Sequence, residues 1–261
     1  MPTVRNIARE KLEQGALSLG CGVRLTRSVE IAIAMKSAGF DWLFLDLEHG
    51  TMSIEAAAQI ATAALDAGIA PLARVPNGEY SIATRLLDNG VLGIVMPHVD
   101  TAEEAREVVQ NLKYPPIGHR SMGGIGPHYS LRSTSTGDAA VALNAANLTV
   151  VMLETPKAID NADAIAAVTG IDVLLIGTND LCAEMGIPGD FGNERVAEAY
   201  RTMIAASGKH GKFPGMAGIY NEALMQRYIE MGARFILSGN DAAFLMASAT
   251  QRTAFLRKTQ P

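Results

Sequence analysis

The sequence predicts a closed (β/α)8 barrel of the TIM type, one domain over residues 1–261, with an N-terminal helix and a long loop before the fifth strand. Three observations predict it. Short apolar runs alternate with longer segments of helical period almost from end to end. The apolar runs are continuous, as in strands buried on both faces of a parallel sheet. Glycine recurs directly before them, and eight such β-then-α units favour a closed barrel over the alternative, a doubly wound open sheet.

The elements follow in order. Charged and apolar residues alternate through MPTVRNIAREKLEQGALSLG, which fits a helix and not the apolar core of an export signal. Strands are expected over Ala16 to Val23, Asp41 to Glu48, Ala70 to Val75, Gly93 to Val99, Thr149 to Thr155, Asp172 to Gly177, Phe213 to Ile219 and Arg234 to Gly239. Between them, segments such as SIEAAAQIATAALDAG and DTAEEAREVVQNL repeat apolar residues at three and four. In SAGFDWLFL, DAGIAPLAR, DNGVLGIVM, VTGIDVLLI and EMGARFILS the glycines Gly39, Gly68, Gly90, Gly170 and Gly232 read as helix C-caps. Lys113 to Asn147 breaks the rhythm and reads as a functional loop, in which Arg120, His128 and Tyr129 are candidates for shaping substrate choice.

Composition excludes several classes. With 48% hydrophobic and 19% charged residues the chain can bury a sizeable core, and a net charge of -5 without a basic stripe gives no footprint for nucleic acid. No apolar run approaches the length of a membrane span. Cys21 and Cys182 are too few for a disulfide framework and lack zinc-site spacing, so a reducing cytoplasm is expected.

Reactive groups of such a barrel sit at the carboxyl ends of its strands. There the sequence places Asp46, Glu48 and His49 (LFLDLEHG), Arg74 (LARVP), His98 and Asp100 (VMPHVD), Glu154 (VVMLETP) and Asp180 (VLLIGTND). A carboxylate that ends a core strand is costly to bury unless paired or metal-bound. Singly, each residue has a structural alternative: Glu154 and Asp180 as helix caps or ion-pair members, His49 as a core histidine, Arg74 as a salt-bridge partner.

Together, LDLEHG, LARVP, MPHVDTAEEAREVV, YPPIGHR, LETPKAIDN and IGTNDLCAEMG resemble the HpcH/HpaI family of metal-dependent 2-oxo-acid aldolases, relatives of the citrate lyase β subunit. The resemblance implies that Glu154 and Asp180 bind a divalent cation (Mg²⁺, Mn²⁺ or Co²⁺), with no organic cofactor. It implies that the amides of Gly177, Thr178 and Asn179 hold a substrate carboxylate. His49 would be the acid/base with Asp46 orienting its ring, Arg74 would stabilise the keto or enolate oxygen, and Asp88 would reach a neighbouring subunit's site in a homohexamer. The implied reaction is reversible addition of a pyruvate or hydroxypyruvate enolate to an aldehyde; the alternative within the superfamily is an acyl-CoA lyase. Two departures are visible: Met152 stands where the family often carries glutamine, and TND replaces the commoner PAD. A Schiff-base mechanism is disfavoured, because none of the seven lysines ends a strand.

Overall fold

The computed structural model describes residues 4–124 and 126–259. Eight parallel strands pair in sequence order and close on themselves, β1 against β8. They are β1 (Ser18–Val23), β2 (Trp42–Asp46), β3 (Ala70–Arg74), β4 (Gly93–Met96), β5 (Leu148–Leu153), β6 (Val173–Gly177), β7 (Phe213–Ala217) and β8 (Phe235–Asn240). The helices are α1 (Ile7–Glu13), α2 (Glu30–Ser37), α3 (Ile54–Ala67), α4 (Tyr80–Asp88), α5 (Ala102–Leu112), α6 (Thr136–Ala146), α7 (Pro156–Asp160), α8 (Ala162–Ala166), α9 (Thr178–Glu184), α10 (Glu194–Lys209), α11 (Glu222–Met231) and α12 (Asp241–Lys258). The barrel agrees with the sequence expectation, and the open sheet is set aside by the β1–β8 pairing. All five capping glycines take positive φ, the conformation that turns a helix into the next strand.

The strands carry two cores because successive side chains point to opposite faces. Outward residues such as Leu43, Leu45, Ala73, Ile94, Val151, Leu174 and Ile236 pack under the helices. Inward residues fill the barrel: Trp42 and Phe44, Leu72, Val95, Leu148, Val150 and Met152, Val173 and Leu175, Phe235 and Leu237. Trp42 stacks on Phe235 with ring centroids 4.1 Å apart. Gly20 makes room for it, since a Cβ there would overlap the indole. α1 closes the amino-terminal end: Ala8 and Leu12 join the inner core, and the Asn6 amide donates to the carbonyls of Leu92 (3.0 Å) and Ala146 (2.8 Å).

The segment expected as one long loop is instead partly helical. α6 occupies its second half, capped by Ser135, which accepts from the Asp138 amide, and buries Ala139, Ala140 and Leu143. The alanine-rich TGDAAVALNAA was the available signal; its weak amphipathic contrast concealed it. A second difference lies between β5 and β6, where the helix is broken in two at Asn161, whose amide donates to the Asp100 carbonyl.

Candidate active site

The inward period that builds the barrel core also builds the mouth. After Trp42 and Phe44 the next inward position on β2 is Asp46; after Leu72 on β3 it is Arg74; after Val150 and Met152 on β5 it is Glu154. These three polar side chains form the layer above the apolar ones, and all are buried: Asp46 1%, Arg74 8%, Glu154 1% exposed.

Two of them neutralise each other. Arg74 donates from Nε (3.1 Å) and Nη2 (2.8 Å) to the two oxygens of Asp46, and its Nη1 lies 3.0 Å from Glu48 Oε2. Burial works against the Asp46 charge, but the bonds and charge of Arg74 outweigh it, aided by the His49 amide, and hold the carboxyl below its ordinary range. Asp46 was expected to orient the His49 ring. Its bonds go elsewhere: Oδ1 accepts from the backbone amides of Glu48 and His49, both at 3.2 Å, so it fixes His49 by its main chain. The imidazole itself is half-exposed at the mouth, with Nε2 3.7 Å from Glu48 Oε2, which removes the core-histidine alternative.

Glu154 has a different environment. Its Oε2 accepts the backbone N–H of His98 at 2.8 Å, and the His98 ring Nδ1 lies 3.4 Å away. Burial holds this carboxyl well above the usual carboxylate range and the nearby Asp180 adds to the shift, against the pull of His98 and Arg74. Gly177 lies directly beneath: a Cβ there would overlap Glu154 Oε1. His98 takes a left-handed φ of 52° to present its amide, a role the sequence reading did not assign; Pro97–His98 just past β4 was the only signal.

β6 ends at Gly177 and α9 begins at once, so Thr178, Asn179 and Asp180 sit on its first turn. The Thr178 hydroxyl is committed inward, donating to the Ala217 carbonyl at 2.7 Å and lying 2.9 Å from the Tyr200 hydroxyl. Arg74, His49, Met152, Gly177, Thr178, Asn179 and Asp180 line one cavity of about 230 Å³, together with Phe44, Leu237, Tyr220 and Arg24. The sequence reading assigned no mouth residue to β1 or β7, and so missed the last two. Asp88 is not at this mouth: it ends α4, where Arg120 of the long segment donates to it at 2.5 Å.

The donor set suits a hard divalent cation. Glu154 is a deeply buried carboxylate that feels the charge of a second acid, Asp180, and hard cations take oxygen donors of this kind.

A family model, HpcH/HpaI aldolase/citrate lyase, matches residues 26–247. The chain belongs to this family. As an HpcH/HpaI aldolase/citrate lyase member it is 41% identical over 255 residues to a 4-hydroxy-4-methyl-2-oxoglutarate aldolase of Hapsidospora irregularis, covering 96% of this chain and 94% of that one. It is 34% identical over 257 residues to a 5-keto-4-deoxy-D-glucarate aldolase of Shigella boydii serotype 18, covering 97% of each. Among solved structures, the HpcH/HpaI aldolase from Desulfitobacterium hafniense DCB-2 superposes with a TM-score of 0.90 at 29% identity, covering 97% of both chains. This family member is accordingly a carbon–carbon lyase of the aldolase type.

Proposed function

We propose that this chain is a divalent-cation-dependent aldolase that cleaves and forms 4-hydroxy-2-oxo acids by way of a pyruvate or hydroxypyruvate enolate. The observation that carries the reading is the buried Glu154 carboxyl, which feels the charge of the half-buried Asp180, beside the Arg74–Asp46 clamp, with Asp180 and Arg74 lining a cavity sized for a small acid. The substrates named for the two relatives are dicarboxylates of this kind, and that class is proposed here. The alternative, an acyl-CoA thioester, is disfavoured because the two relatives are named for free oxo acids.

Glu154 and Asp180 would hold Mg²⁺, Mn²⁺ or Co²⁺, which when bound supplies Lewis-acid polarisation of the substrate ketone. The amides of Gly177, Thr178 and Asn179 receive the 2-oxo acid's carboxylate, as N–H groups at a helix start receive anions. Arg74 is held by two hydrogen bonds to Asp46 and an ion pair with Glu48, and offers its remaining N–H groups to the ketone oxygen, where negative charge develops. In the cleavage direction the 4-hydroxyl gives up its proton and the C3–C4 bond breaks. Its electron pair passes through C3 and C2 to the ketone oxygen, and a carbonyl product departs. His49 manages the proton, which returns to C3 of the enolate to give the free 2-oxo acid. The reverse sequence is aldol addition.

Asp88 is proposed to act in a neighbouring copy's site within a homohexamer. The reading extends to one domain over the whole chain and a cytoplasmic setting, with Cys21 and Cys182 as free thiols.

The test is retro-aldol turnover of 4-hydroxy-2-oxoglutarate with added Mn²⁺, Mg²⁺ or Co²⁺ and after exhaustive chelation. Activity should require the cation, and Mn²⁺ at a hundred times its Kd should stabilise the native protein by about 2.7 kcal/mol. Glu154→Gln and Asp180→Asn should lose both the activity and the thermal shift while keeping the native circular dichroism. Turnover unaffected by chelation, or retained by both variants, would refute the assignment.

A further inference from the structure

A second arginine overhangs the mouth. Arg24 follows β1 directly and lines the same cavity as Arg74, His49 and Asn179. Its main chain is pinned: the Asp241 carboxylate at the start of α12 accepts the amides of Arg24 (2.9 Å), Leu25 (3.1 Å) and Thr26 (2.7 Å). That clasp is a rigid platform, because three N–H groups converge on one buried acid.

The two guanidinium groups are differently disposed. The Arg74 side chain is 10% exposed and spends three contacts on Asp46 and Glu48. Arg24 is 47% exposed, donates from Nη2 to the His49 carbonyl at 3.1 Å, and brings Nε to 3.6 Å from Asp46 Oδ2. Its outer edge faces the cavity and solvent. The cavity thus has an inner cation beside the paired acids and an outer one near its rim, with Phe44, Met152 and Leu237 as apolar lining. A ligand anchored by its 2-oxo acid end points its other end toward the rim. A guanidinium fork matches a carboxylate there in a way that neither water nor a lone amide does.

We propose that Arg24 is a specificity-determining residue that receives the distal carboxylate of a dicarboxylic 4-hydroxy-2-oxo acid. This rests on the aldolase reading above and assigns a residue to the substrate class. Arg24 then contributes to holding the substrate, and its effect falls on KM more than on kcat.

The experiment compares two substrates, 4-hydroxy-2-oxoglutarate and 4-hydroxy-2-oxopentanoate, which differ in a terminal carboxylate against a methyl group. Wild type, Arg24→Gln and Arg24→Lys are assayed with Mn²⁺ present. Wild type should favour the dicarboxylate, and Arg24→Gln should reduce that kcat/KM ratio roughly tenfold or more, as expected for loss of one charge-assisted hydrogen bond, mainly through KM. Arg24→Lys should recover part of the ratio. Using the ratio cancels any effect of Arg24 on Asp46 or His49 that both substrates share. No preference in wild type, or an equal change on both substrates, overturns the role of Arg24 and leaves the aldolase reading standing. Cleavage of neither substrate by wild type overturns that reading, and this inference with it.

Discussion

At the scale of single residues, the site depends on one absent side chain as much as on those present. Gly177 has an ordinary negative φ of -85°, so the backbone does not require glycine; the space does, because Glu154 occupies the volume a Cβ would fill. Gly177→Ala should therefore displace the carboxylate and lower kcat/KM by about a hundredfold, the scale that a misplacement near 1 Å produces. Steady-state kinetics with circular dichroism as a fold control would measure it, and unchanged kinetics would show that Glu154 does not need its present position. Met152 is a related case. It lies one inward position below Glu154 and is packed in the barrel core, so an apolar thioether there continues the floor of the cavity. Asp46, Arg74 and Glu154 were legible in the sequence because each ends an apolar run. Arg24 was not, and His98 was placed at a strand end without its role as a donor to Glu154, because nothing local says that a loop residue turns back over the mouth.

At the scale of elements, the β1–α2 connection is held by α12 through Asp241. Burial raises the Asp241 carboxyl, and its bonds from the amides of Arg24, Thr26 and Leu25 outweigh that effect, leaving the group below its ordinary range. The sign follows from linkage. A carboxyl depressed in the folded state contributes stability that is complete above its unfolded value, about 3.9, and is lost as pH falls through the folded value. Asp241→Asn should therefore lower the melting temperature at pH 7, and the difference from wild type should shrink as pH is lowered below about 4. A difference that stays constant with pH would mean that the clasp acts through shape alone. The strands of this barrel were readable to within a few residues. α6 was not: its alanines give little contrast between faces, and its burial against Tyr114 and Tyr129 is a tertiary fact.

At the scale of the whole molecule, α12 presents Phe244, Leu245, Met246, Phe255 and Leu256 to solvent, and Asp241 is its buried residue among those described. Large apolar side chains exposed at both ends of one helix point to an interface. With the homohexamer proposed above, sedimentation of the native protein should give a hexamer. Phe255→Asp with Leu256→Asp should yield smaller species with reduced turnover, since Asp88 would then be withdrawn from a neighbour's site. A native monomer with full activity would remove both the assembly and the shared role of Asp88. The sequence alone determined the barrel, because its continuous apolar strand runs, helical spacing and capping glycines are local signals that agree with one another. It also determined which strand ends carry acids. Only the tertiary structure decided the partner of each acid: Asp46 binds Arg74, Glu154 accepts the His98 amide within reach of the Asp180 charge, and Asp88 turns to Arg120. The reason is physical. Closure of the sheet fixes the distances between strands far apart in the chain, and those distances, not residue identity, separate a neutralised ion pair from a buried acid suited to a cation.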